Sequence, residues 1–103
     1  HKGIMVCRTT IRGKEAHSSL SHLGVSAIDL AGRAIGLLHA VAAEAALVTD
    51  ARFLPAATSV SVNRIGGGTA TNILAGEAWF DWDIRSIPGV DAPTLRDGFA
   101  ARL

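Results

Sequence analysis

Three consecutive glycines, Gly66–Gly68, interrupt an alternating pattern of apolar and polar residues in the middle of the chain. Apolar and polar residues alternate on either side of the glycines, in Thr58–Ile65 and in Glu77–Arg85. This alternation predicts two strands joined by a glycine-rich connection. Each glycine costs about 0.5–1 kcal/mol in ordering entropy relative to alanine, so a run of three indicates a tight turn or the close approach of a ligand or another chain. Asn72, nearby, can donate and accept hydrogen bonds. The glycines alone leave a mobile hairpin loop and a functional loop equally open.

The remaining segments predict an α+β domain. Apolar and polar residues alternate in Lys2–Arg12, which predicts a strand. A polar loop is predicted for Lys14–Leu23, and a long helix is predicted for Gly24–Leu47 from the period of its apolar residues. A second helix is expected to begin near Asp91, because Pro93 suits the first turn of a helix. The order β-α-β-β-α lacks one strand of the ferredoxin-like β-α-β-β-α-β sandwich, an antiparallel sheet with helices on one face. We therefore expect that fold, with the last strand missing.

Two of these elements have distinct faces. In the second of the paired strands, Trp79 shares the outer face with charged residues, so it is either an interface residue or packed under a loop. The residues expected to face the core from that strand are Ala78, Phe80, Trp82 and Ile84. The stripe expected to face the core from the long helix is Ile28, Ala31, Ile35, Leu38 and Ala42, with Gly32 and Gly36 beside it as sites for close packing.

The composition fits one folded domain. Of 103 residues, 49% are hydrophobic and 18% are charged. A chain of this length with this share of hydrophobic residues can form a single core. The net charge is +1 without a basic cluster, so we expect neither nucleic acid nor a membrane as a partner. Cys7 cannot form an internal disulfide, which fits the reducing cytoplasm. The chain starts inside a predicted strand and ends inside a helical pattern, so we expect residues 1–103 to be a domain cut from a longer protein.

Residue spacing alone assigns no metal or carboxylate chemistry. The histidines and Cys7 show no recognised ligand spacing, so we expect no metal site in the chain. Asp81 and Asp83 lie about 7 Å apart on one strand face, within the range of an inverting glycosidase pair. Trp79 and Arg85 share that face, which favours a solvated or interfacial charged surface.

Neither loop matches a common catalytic motif. The residues of His17-Ser18-Ser19 are so close in sequence that the histidine, as a base, is not expected to meet a neighbouring serine, as a nucleophile. A Gly-x-Ser-x-Gly elbow is also absent. A catalytic triad is therefore discounted, and His17 is either a solvated loop residue or a functional one. The glycine loop lacks the Gly-Lys-Ser/Thr ending of a phosphate-binding loop.

Three segments do resemble the signatures of a known family. Gly13–Ser19 followed by Gly24–Ile28 resembles the first signature of the dimerisation, or lid, domain of the di-zinc amidohydrolases. Ile65–Ile73 resembles the second, and Asp81–Arg85 followed by Pro88-Gly89 resembles the third. The family includes acetylornithine deacetylases, succinyl-diaminopimelate desuccinylases, aminoacylases and carboxypeptidase G-type enzymes. The third segment is most similar to the acetylornithine deacetylase branch.

This resemblance implies a zinc-dependent amide hydrolase that acts on N-acyl amino acids. Its nearest form hydrolyses N-acetylornithine to ornithine and acetate in arginine biosynthesis, in the cytoplasm. The zinc or cobalt, its ligands and the general base would belong to a larger catalytic domain outside this chain, which alone would be inactive. Two lid domains would pair about a two-fold axis, so the resemblance also implies a homodimer.

The resemblance also implies roles for individual residues. His17 would reach into the partner subunit's active site and stabilise the oxyanion of the tetrahedral intermediate. Asn72 would contact the substrate from across the dimer, and Arg85 would bind the substrate carboxylate. The residues that would shape the loop backbone near the substrate are Gly67, Gly68 and Thr69.

Two functions from other classes remain open at this point. One is a purely structural dimerisation module whose loops never touch a substrate. The other is a ferredoxin-like regulatory domain that binds a small amino acid by itself.

Overall fold

The computed structural model describes residues 3–103, so His1 and the predicted strand start at Lys2 lie outside the described residues. The predicted order of strands and helices is confirmed, and a short 3-10 helix is added within the first predicted loop. In chain order the elements are β1 (Gly3–Arg12), the 3-10 helix (Ser18–Leu23), α1 (Ala27–Ala45), β2 (Ser59–Gly67), β3 (Glu77–Ser86) and α2 (Ala92–Ala101).

The sheet and helix positions agree with the predicted α+β class. The sheet has the order β1-β3-β2, and β3 is antiparallel to both neighbours. Its inner face carries the four core residues predicted from β3, which are all buried against the two helices. Trp82 meets Phe99 of α2 edge to face, with ring centroids 5.6 Å apart, and its indole N–H donates to Thr9 Oγ1 at 3.0 Å. One hydrophobic core thus joins every strand and both helices.

Each of the two α-helices begins at a capping side chain. The Ser26 hydroxyl accepts a hydrogen bond from the backbone N–H of Asp29 at 3.2 Å, so α1 begins after Ser26 rather than at the predicted Gly24. It spans 19 residues and ends at Ala45, two residues before the predicted end. The Asp91 carboxylate caps α2 by accepting from the N–H of Thr94 at 3.0 Å, and this predicted start is confirmed.

The predicted core stripe of α1 is wrong in part. Ile28 is 44% exposed, and Ile35 lies at the border of the core. Small alanines take their places and let the helix lie close above the large Phe80 and Trp82 rings. The buried stripe is Ala27, Ala31, Ala34, Leu38 and Val41.

The two helical glycines do not pack within this domain. A Cβ atom at Gly32 or Gly36 would meet no heavy atom within 4 Å in the part of the chain that the structure describes. They therefore do not pack closely against the sheet or the second helix of the described chain, and close packing against another helix stays a prediction. Both glycines instead lie on an open flank of α1.

Trp79 has a structural place on the outer face of the sheet. A Cβ atom at Gly66 would come within 2.6 Å of its indole ring, so glycine is needed where the ring lies on β2. The guanidinium groups of Arg8 and Arg64 lie 4.2 Å and 5.3 Å from the ring centroid, distances typical of cation–π contacts. β2 itself continues through Gly66 and Gly67, two residues further than predicted.

Candidate functional site

The two loops singled out by sequence meet at one end of the sheet. The segment after β1 and the segment before β3 are joined by backbone hydrogen bonds, so neither loop is slack. His17 forms an isolated antiparallel bridge with Ile73. The backbone bonds are Gly13 N–H to Gly76 O, Leu74 N–H to Ala16 O and Ser18 N–H to Asn72 O, each 2.8 Å long.

His17 is held at its Nδ1 atom, and its other ring nitrogen lies near Asn72. Its Nδ1 atom caps the 3-10 helix by accepting the backbone N–H of Ser19 at 3.1 Å, and it lies 2.7 Å from the Ser19 hydroxyl oxygen. Its Nε2 atom lies 3.3 Å from Nδ2 of Asn72. The structure therefore brings together His17 and Asn72, two of the predicted site residues, in one exposed cluster.

The expectation that His17 and a neighbouring serine would not meet is wrong. The 3-10 turn folds Ser19 back onto the ring, because a capping side chain reaches the second residue of its helix. The contact does not make a triad, since the other ring nitrogen faces the Asn72 amide rather than a carboxylate. Ser19 is thus a site residue that sequence reasoning missed, although the His-x-Ser spacing is the signal that could have found it.

The glycine residues shape a polar groove beside this cluster. Gly67 and Gly68 have φ angles of +151° and +83°, which side chains rarely adopt. A Cβ at Gly67 would also come within 2.7 Å of the Glu77 carbonyl oxygen. The groove measures about 430 Å³, and its lining residues are Glu15, Gly67, Gly68, Thr69, Gly76, Glu77 and Trp79.

Arg85 lies at the opposite end of the sheet. Gly67 pairs with Ala78, whereas Arg85 pairs with Ser59, seven residues further along β3. At about 3.3 Å per residue, this places Arg85 roughly 23 Å from the glycine loop. The structure does not bring Arg85 together with His17 and Asn72 in one copy of the chain.

The Arg85 end carries a loose ion pair. Arg85 Nη2 lies 3.6 Å from Asp83 Oδ2, and about half of the arginine side chain is exposed. Asp83 in turn accepts a hydrogen bond from the Ser61 hydroxyl at 2.9 Å. Because its contact with Asp83 is long, the guanidinium can turn toward an added carboxylate with little loss.

Asp81 is fixed by arginines rather than free for catalysis. Arg8 donates two hydrogen bonds to its carboxylate, at 2.6 Å and 2.9 Å, and Arg64 lies 3.7 Å away. The hydrogen bond from Arg8 lowers the pKa of Asp81 below its ordinary value, so the group stays charged. Together with the ion pair of Asp83, this supports the charged-surface interpretation of the two aspartates.

The described residues contain no cluster of side chains that could bind a metal ion. Between residues 3 and 103, no group of three or more His, Cys, Asp or Glu side chains is arranged to hold a metal ion. His22 and His39 are exposed on the 3-10 helix and on α1. The residues described here therefore do not fit a resident metal.

The whole chain matches a known domain family, and relatives that are similar in sequence support this match. The model of the peptidase dimerisation domain covers residues 1–103. An acetylornithine deacetylase from Myxococcus xanthus is 38% identical over 90 residues, which are 86% of this chain and 24% of that protein. A "Probable succinyl-diaminopimelate desuccinylase" from Staphylococcus epidermidis is 57% identical over 30 residues, which are 29% of this chain and 7% of that protein.

A solved structure agrees with these matches. A tripeptidase from Staphylococcus aureus has 28% sequence identity and a TM-score of 0.63, and the similarity covers 94% of this chain and 22% of that one. The chain thus spans about a quarter of the length of the acetylornithine deacetylase and of the tripeptidase. With the full-length match, these similarities show that the chain belongs to the M20 family of peptidases and amidohydrolases, as its dimerisation domain.

Proposed function

We propose that this chain is the dimerisation and substrate-capping domain of a zinc-dependent N-acyl amino-acid deacylase, of the acetylornithine deacetylase type. The dimerisation domain belongs to enzymes that are metal-dependent hydrolases. The substrate assignment is supported by the 38% identity to the Myxococcus xanthus acetylornithine deacetylase, which extends over 86% of this chain. The proposal includes the larger catalytic domain, the cytoplasmic location and the place in arginine biosynthesis.

The observation that carries the substrate-capping role is the separation of the site residues. His17 and Asn72 meet at one end of the sheet, and Arg85 lies at the other end of β3, roughly 23 Å from the glycine loop. A small acyl amino acid cannot touch both ends of one copy. A second copy, turned by a two-fold axis normal to the sheet, presents its His17 end beside the Arg85 end of the first.

The β2 edge and the open flank of α1 form a surface suited to that two-fold contact. Ile28 lies beside Gly68, just past the end of β2, because a Cβ at Gly68 would be 3.2 Å from its Cδ1 atom. Gly32, Ile35 and Gly36 continue the same flank along the helix. Small residues let two helices approach closely, and edge strands have unpaired backbone groups. We therefore propose a homodimer in which β2 strands and α1 helices from two copies adjoin.

In this arrangement each side chain has one task. His17 and Asn72 offer N–H groups to the carbonyl oxygen of the partner's substrate as negative charge develops on it. Arg85 binds the substrate carboxylate in its own subunit, where a guanidinium can donate two parallel hydrogen bonds. A metal bound in the catalytic domain supplies an activated water, and the residues of this chain only bind and orient.

Purified full-length enzyme is expected to hydrolyse N-acetylornithine with a kcat/KM at least about tenfold above that for N-succinyl-diaminopimelate. N-succinyl-diaminopimelate is the competing substrate because the chain is 57% identical to the desuccinylase over a segment of 30 residues. Ornithine and diaminopimelate release would be measured in parallel, with zinc or cobalt supplied. A reversed preference would reassign the enzyme to the desuccinylases while leaving the role of this domain intact.

Replacing Gly36 by glutamate is expected to weaken the dimer at least about tenfold, because two carboxylates would be placed in the α1 contact. Glutamate forms helix better than glycine, so the variant should fold. Sedimentation equilibrium of the full-length protein would measure the dissociation constant. Gly98→Glu is the matched control, since a Cβ atom at that glycine would also meet no heavy atom of residues 3–103 within 4 Å, but Gly98 lies on α2. Equal dissociation constants for both variants would contradict the proposed interface.

None of the helices in residues 3–103 has the length and apolar character needed to cross a membrane. The proposed cytoplasmic location rests on the similarity to the acetylornithine deacetylase.

A further inference from the structure

The contacts with Ser19 indicate the tautomer of a neutral His17 ring. The backbone N–H of Ser19 is only a donor, and it lies 3.1 Å from Nδ1 with the geometry of a hydrogen bond. Nδ1 must therefore accept, and a neutral imidazole that accepts at Nδ1 has its proton at Nε2. The Ser19 hydroxyl, 2.7 Å from the same nitrogen, can donate to it as well.

The Nε2–H group then lies close to the side-chain amide of Asn72. Nε2 and the Asn72 Nδ2 atom are 3.3 Å apart, and in this tautomer both nitrogens have hydrogens to donate. Two donors at that separation can both reach a single acceptor oxygen at ordinary hydrogen-bond lengths of about 2.9 Å. The pair is thus arranged to bracket one oxygen atom of a ligand.

We propose that Ser19 is a positioning residue that fixes the orientation of the His17 ring and its Nε2–H tautomer. The inference rests on the proposed function only for its effect on turnover. Ser19 itself points at Nδ1, on the side of the ring away from Asn72, so it acts through His17 and not on the substrate. With the hydroxyl removed, only the longer 3.1 Å contact from the Ser19 backbone N–H remains at Nδ1, so the ring is held less firmly and can turn about χ2 and exchange its proton between the two nitrogens.

The tautomer is measured directly by nitrogen-15 spectroscopy. Full-length dimer labelled with 15N-histidine should show one protonated and one unprotonated nitrogen for His17, assigned by the signals lost in His17→Gln. In Ser19→Ala the two signals should move toward each other, as exchange between tautomers averages them. Ser19→Thr, which retains a hydroxyl at the same carbon, should restore the separate signals. Ser18→Ala should leave them unchanged, because Ser18 contacts Asn72 through its backbone only.

Turnover provides the second readout. Ser19→Ala should lower kcat about 3- to 10-fold, the effect of one lost hydrogen bond, with KM changed less than twofold and with recovery in Ser19→Thr. Separate signals retained in Ser19→Ala would overturn the positioning role, whatever happens to kcat. Averaged signals with unchanged kcat would support the role of Ser19 in setting the tautomer. The same result would count against the role of His17 as an oxyanion donor, and thus against the proposed function.

Discussion

His17→Ala in the full-length enzyme is expected to lower kcat by about 10²- to 10³-fold, the usual loss when one donor to an oxyanion is removed. KM should change much less, because the carbonyl oxygen gains its charge only in the transition state. The metal content should stay the same, since no group of metal-ligating side chains is found in residues 3–103. Steady-state kinetics and metal analysis of the same preparation would measure both quantities.

His22→Ala is the matched control for this experiment. His22 lies on the same 3-10 helix, and its side chain is exposed. A loss of activity caused by a disturbed loop would occur in both variants, whereas loss of the oxyanion donor would occur only at position 17. Near-normal turnover of His17→Ala would exclude its catalytic role and favour the purely structural dimerisation module.

The fold was largely predictable because the strands have opposite faces. In β3 the alternation places Phe80 and Trp82 in the core and Asp81 on the outer face, as the structure shows. The α1 face was not predictable to the residue, since alanines on every side leave the hydrophobic stripe poorly defined. In the structure Ala34 is buried, whereas Ile35 lies at the border of the core.

Sequence signatures select candidate site residues, but they do not predict the geometry of those residues. The signatures select His17 and Asn72, yet no sequence pattern shows that they touch, because 55 positions separate them along the chain. The short 3-10 turn that folds Ser19 onto His17 depends on backbone hydrogen bonds between the two loops. Those bonds are invisible in residue types, since every backbone has the same donors and acceptors.

Mixed dimers give the strongest test of a site shared between subunits. His17→Ala and Arg85→Ala homodimers should each be nearly inactive, but a dimer containing one subunit of each type should regain one intact site. That site combines Arg85 from the first subunit with His17 from the second. Random mixing makes about half of all dimers mixed, so activity should recover to about a quarter of the wild-type value.

The converse mixture separates this arrangement from a site built within one subunit. When wild-type subunits are mixed with the His17→Ala/Arg85→Ala double variant, the mixed dimer has no intact site, and only about a quarter of the wild-type activity should remain. If both residues served their own subunit, the mixed dimers of this second mixture would each keep one site, and about half of the activity would remain. The first mixture would then stay inactive. In the proposed arrangement Arg85 and His17, at opposite ends of the sheet, complete different active sites of the dimer. The two mixtures therefore respond in opposite directions to where the two residues act.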